Sequence, residues 1–125
     1  MQLVGDSLAP IRAAFGSAQQ AMDERGEFDV DTGLAYAIGD AIRIHVRKRG
    51  RRYGLSDAGA AISRAGKPAG WFDELERLVA EDGFNVNRRG VVFVPAVEGR
   101  DIAMLALRLA SVSRTAYLTL LELRD

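Results

Sequence analysis

Three kinds of residue in this chain belong to the vocabulary of bond-breaking chemistry. The only histidine, His45, alternates with Arg43 and Arg47, so all three project from the polar face of one strand. Ser56 and Asp57 follow nearby, and a hydrolytic triad needs a serine and an acid around a histidine. The same Ser-Asp pair is also the composition of a helix N-cap, where a side-chain oxygen accepts from an orphan amide. With Gly59 serving backbone packing, Ser56, Asp57 and Gly59 read as a structural cap. Gly54-x-Ser56 starts like a nucleophile elbow, but the required second glycine falls at position 58, which is alanine. A Mg²⁺ at Asp57 would need further oxygen ligands that nearby spacing does not supply. Asp73, Glu74, Glu76 and Glu81 could pair as general acid and base; their helical spacing beside Arg77 reads more simply as a solvated face. Gly66-Lys67-Pro68 lacks the glycine-spaced cradle and Ser/Thr of a phosphate loop. The expectation is no catalytic residue, no metal, no cofactor and no enzymatic activity.

The remaining chemistry is adhesion. Arginine outnumbers lysine fifteen to two, and basic residues cluster at Arg47, Lys48, Arg49, Arg51 and Arg52, with Tyr53 beside them, and again at Arg88 and Arg89. Together with Arg43 and His45 these form the expected partner-binding set. Arginine forks suit phosphates or an acidic protein surface, and a two-stranded ribbon fits the major groove of DNA. Arg88 and Arg89 extend the patch only if both hairpin tips face one way. The chain is neutral overall, so no whole-molecule field draws it toward nucleic acid.

The elements that must position these residues follow from periodicity. Leu8, Ile11, Phe15, Ala18 and Met22 make an apolar helical stripe over residues 6–25. The period then changes to two. Phe28–Thr32 and Leu34–Ile38 make one bent strand or two short ones. Ile42, Ile44 and Val46 share one face of the next strand, which implies a sheet with one wet side. Arg49-Gly50 closes a hairpin, and Tyr53 and Leu55 lie on the return strand. Ala58, Ala61, Ile62 and Ala65 mark a short helix, and Trp71 to about Asp82 another. Phe84–Asn87 and Val91–Pro95 form a second hairpin, and a long helix runs from Arg100 to about Leu123. Its apolar face is wide: Met104, Leu107, Leu118 and Leu121 lie beside the main stripe, the expected interface of a homodimer. Helices segregated to one side of an antiparallel sheet of about five strands give an α+β fold.

At 125 residues the chain fits a single domain over 1–125. It has no cysteine, which excludes disulfides and thiolate metal sites. Neither a secretory start nor an apolar run of membrane-spanning length is present, so a cytoplasmic protein with no membrane partner is expected.

The strand Ile42-Arg43-Ile44-His45-Val46 and the step Leu55-Ser56-Asp57-Ala58-Gly59 resemble a bacterial and prophage domain-of-unknown-function family. Its pattern is an Ile-x-Ile-x-Val strand, a polar hairpin, and a Leu-Thr/Ser-Asp-Asp-Gly step into a helix. Asp82–Asn87, Val91–Ala96 and the helix from Ile102 also match, so the likeness spans about residues 28–120. The family's second aspartate is Ala58 here, which puts any role for paired acids in doubt. The resemblance implies fold and milieu, not an activity. The element order is also similar to that of small dimeric secretion chaperones, which bind extended segments of a partner. The expected function is a non-enzymatic protein-interaction module, chaperone-like, inhibitor or immunity component, with a nucleic-acid-binding module as the alternative.

Overall fold

The computed structural model describes residues 26–124; the helix predicted over residues 6–25 lies outside them. Strands β1 (Glu27–Ala37), β2 (Asp40–Arg49) and β3 (Arg52–Ser56) lead to helices α1 (Ala60–Ala65) and α2 (Trp71–Ala80). Strands β4 (Asn85–Val86) and β5 (Val92–Val97) follow, and a 3₁₀ turn over Gly99–Asp101 enters the long helix α3 (Ile102–Arg124). The five strands form one antiparallel sheet in the order β1-β2-β3-β5-β4. The fold is α+β, as the periodicities predict.

The core lies between one face of this sheet and α3. Val30, Ile42, Ile44, Val46 and Leu55 are buried from the sheet, and Ile102, Leu109, Ala116 and Leu120 from α3. Ala61, Ile62 and Ala65 of α1 and Leu75 and Val79 of α2 join them. Because side chains alternate along a strand, the residues between those core positions emerge on the opposite, outer face.

The region from Phe28 to Ile38 resolves into one strand with a break. Asp31 pairs with Arg43 but Ala35 with Ala41, so β1 carries extra residues around Gly33, whose φ is 79°. A bulge of this kind bends a strand without ending it. Thr32 turns inward there and donates its hydroxyl to the carbonyl of Ile42 at 2.9 Å.

The second hairpin is seated by a missing side chain. A Cβ on Gly90, which has a φ of +90°, would lie 2.8 Å from Ile62 Cγ2. The β4–β5 turn therefore packs directly on α1.

The passage from β3 into α1 is locally strained. Ala58 has a φ of 56° and Gly59 a φ of 76°. A left-handed conformation costs a residue with a Cβ about 1–2 kcal/mol. Relieving it should show in chemical denaturation: Ala58→Gly is expected to raise stability by about 0.5–1 kcal/mol, after the extra entropy of the unfolded chain is deducted, and Gly59→Ala to lower it.

Candidate partner-binding face

The outer sheet face is built from complementary rows. Glu27, Asp29 and Asp31 of β1 stand opposite Arg47, His45 and Arg43 of β2. Only the middle pair closes a hydrogen bond: His45 Nδ1 lies 2.9 Å from Asp29 Oδ1. An ionised carboxylate only accepts, so Nδ1 carries the proton and donates it. His45 Nε2 is 3.9 Å from Glu27 Oε2.

The row continues across the sheet, with His45 opposite Ser56 and Ser56 opposite Phe93. Asp29, His45 and Ser56 thus stand side by side on three strands. No hydrogen bond joins His45 to Ser56, however; the Ser56 hydroxyl oxygen accepts the Ala58 N–H at 3.2 Å. The geometry orients the imidazole but does not engage the serine as a nucleophile.

Asp57 departs from the role the sequence suggests. The residue at the N-cap position of α1 is Gly59, and no side chain caps that helix. The Asp57 carboxylate is instead buried, 1% exposed. Its Oδ1 accepts N–H bonds from Gly59 at 2.8 Å and Val92 at 3.0 Å. Its Oδ2 accepts the Ser113 hydroxyl at 2.7 Å. Since that proton is committed to Asp57, the Tyr36 hydroxyl, 2.8 Å from Ser113 Oγ, must be the donor to it. Burial pushes the Asp57 carboxyl above its ordinary value, against the opposing pull of these hydrogen bonds. Burial likewise raises the Tyr36 hydroxyl.

Arg64 lies beside this network. Its guanidinium grips Asp40 through Nε and Nη2 at 2.6 and 2.7 Å and sits 4.5 Å from the Tyr36 ring centroid. Hydrogen bonding by Arg64 holds the Asp40 carboxyl below its ordinary range. These groups, with Asp29, His45 and Ala58, border an open depression of about 400 Å³ where β3 leaves the sheet. Asp57 borders it too, but both its oxygens are already taken by donors.

A second depression, of about 360 Å³, runs along β3. Gly54 and Ser56 form its floor because both are small. His45, Arg47 and Arg49 of β2 wall one side, and Phe93 and Pro95 of β5 the other. Leu55 pairs with Val94 but Tyr53 with Val97, so β5 bulges where Pro95 sits. A bulge is where a strand tolerates proline.

The ten expected partner-binding residues are not one patch. The β2–β3 tip lies where Tyr53 pairs with Val97, at the end of β5, whereas the β4–β5 tip lies at its start. Arg88 and Arg89 are therefore at the opposite end of the sheet from Arg49, Arg51 and Arg52. Arg88 also stacks 5.7 Å from the Phe72 ring centroid, and Arg52 lies 3.4 Å from Glu98. Lys48 pairs with Tyr53 on the inward-facing rows of their strands, and Tyr53 packs against the core. Among the described residues, Arg43, Arg47, Lys48, Arg49 and Arg51 form no ion pair. Of the expected dimer residues, Met104 and Leu118 are exposed by 45% and 44%, while Leu107 and Leu121 pack against the core.

No family, curated protein or solved structure matches this chain. Among the described residues no group of histidine and acidic side chains could hold a metal, and no helix is long and apolar enough to cross a membrane.

Two partners of the key polar groups escape a reading by local motif. Ser113 interrupts the buried stripe of Leu109, Val112, Ala116 and Leu120, and a hydroxyl there is the mark of a buried polar partner. The Glu27-x-Asp29-x-Asp31 alternation mirrors Arg43-x-His45-x-Arg47 and signals the cross-strand pairing.

The Asp57 network makes a pH-dependent prediction. Asp57→Ala leaves two amides and a hydroxyl buried without an acceptor, and should cost about 3 kcal/mol or more in denaturant unfolding. Asp57→Asn retains acceptance from the amides and should cost less. Because the folded carboxyl titrates above its unfolded value, its favourable protonation contribution is fully present below the unfolded value and lost as pH rises through the folded one. The deficit of Asp57→Asn relative to the native protein should therefore shrink as pH rises above the ordinary carboxylate range.

Proposed function

We propose that this protein is a non-catalytic interaction module that holds another protein on the outer face of its sheet. The observation that carries this reading is the trough along β3, basic on one wall and apolar on the other. Interfaces use such a mixture, with apolar contact for affinity and charge for orientation. An inhibitor, immunity or chaperone-like component is the form such a module would take in the bacterial or prophage milieu that the family resemblance implies. The two basic tips, being at opposite ends of the sheet, argue against a single polyanion-gripping patch.

A random displayed-peptide library selected on the immobilised protein tests this against nucleic acid. Selected peptides are expected to shift amide resonances of β3 and β5, while generic DNA and RNA stay unbound at low salt. Failure to select any peptide, with nucleic acid binding that weakens steeply as salt rises, would overturn the proposal.

The proposal includes a homodimer through α3, because Met104 and Leu118 remain exposed on that helix and water disfavours apolar surface. Sedimentation equilibrium should find a dimer for the native chain and a monomer for the double variant Met104→Glu, Leu118→Glu. A monomeric native protein would remove this part of the proposal.

A further inference from the structure

Resting on the reading above, we infer that the β3 trough takes an extended polypeptide segment in which acidic residues alternate with apolar ones. The argument is one of spacing. Arg47 and Arg49 are two positions apart on one strand face, so they repeat at about 6.6–6.8 Å along the wall. Residues i and i+2 of an extended chain repeat at the same distance. Two acids separated by one residue therefore meet both guanidinium groups, whose planar forks match a carboxylate. The intervening side chains then point to the other wall, where Phe93 and Pro95 stand.

The trough's size selects the conformation. Its walls, β2 and β5, flank β3 on either side, which sets them about 10 Å apart. An extended backbone enters a channel of that width; a helix, about 10–12 Å across with its side chains, does not. The floor, Gly54 to Ser56, spans about 7 Å, the repeat between residues i and i+2 of an extended chain. Gly54 keeps it low: a Cβ added there would stand 3.6 Å from the Pro95 carbonyl oxygen, in the space the segment occupies.

Charge complementarity favours a peptide over a nucleic acid. Arg47 and Arg49 lack a carboxylate partner among the described residues and are exposed. Beyond them, Glu27, Asp29 and Asp31 make the next row acidic, so a wider polyanion laid across the face meets repulsion. Among the described residues, Phe93 and the His45 imidazole are the ring side chains bordering the trough, on opposite walls, whereas single-strand binders stack successive bases along a row of aromatic side chains.

The test compares two synthetic peptides of one composition, acetyl-Gly-Asp-Leu-Asp-Val-Gly-amide and acetyl-Gly-Asp-Asp-Leu-Val-Gly-amide, by titration into ¹⁵N-labelled protein. The alternating peptide should shift the amides of Gly54, Ser56 and Phe93, and the block isomer should bind about tenfold more weakly, the equivalent of one lost charged contact. Arg49→Ala should weaken the alternating peptide about tenfold. Gly54→Val should abolish its binding with both arginines intact, and a retained thermal transition shows that the variant is folded. Equal affinity of the two isomers, indifference to both substitutions, or displacement of the peptide signals by oligo-dT would each overturn the inference. Library peptides that bind this face without the acid-x-acid pattern would also overturn it and leave the broader reading intact; no selected peptide at all would end both.

Discussion

The carboxylate of Asp57 is the constraint around which the rest of the chain is arranged. Its oxygens take the amides at the approach to α1 and on β5, and the hydroxyl of Ser113 on α3, which in turn takes the hydroxyl of Tyr36 on β1. A carboxylate removed from water is costly unless hydrogen bonds replace its hydration. Two of the three replacements, from Val92 and Ser113, come from parts of the chain far from Asp57 in sequence, so its hydration is fully replaced only when they converge. No buried side-chain polar atom among the described residues lacks a partner. The left-handed backbone at Ala58 and Gly59 belongs to the same arrangement, since a sharp departure from β3 brings the Gly59 amide back onto Asp57.

The outer face inherits its shape from that arrangement. The Asp57 bond to the Val92 amide fixes the end of β3 against the start of β5, directly beside the Ser56–Phe93 pair. Small residues on β3 and large ones on either side then leave a channel rather than a flat surface. The bulge that accommodates Pro95 keeps the apolar wall in place without interrupting the core pairing of Tyr53 with Val97 and Leu55 with Val94. The trough is thus a by-product of strand register, and its lining is set by which residues alternate outward.

Local pattern made much of this legible. The Ile42, Ile44 and Val46 alternation, the Gly50 hairpin and the long apolar run from Ile102 each specify one element through a period or a turn requirement. What local pattern conceals is pairing at a distance. Ser-Asp before a helix is a cap by composition, and only the positions of Val92 and Ser113 show why the aspartate goes inward instead. Sequence leaves open whether both basic hairpin tips face one way; strand order puts Arg88 and Arg89 at the far end. The trough is invisible in sequence, since it depends on Gly54 and Ser56 lying between two particular neighbours.

The run of Glu27, Asp29 and Asp31 on the outer face of β1 bears on how copies of this protein meet. Among the described residues β1 ends the sheet, and an outermost strand is where pairing with another sheet has to be opposed by charge. Two such strands approaching head to tail would set Glu27, Asp29 and Asp31 of each against the same carboxylates of the other. Like charges set opposite one another disfavour that pairing.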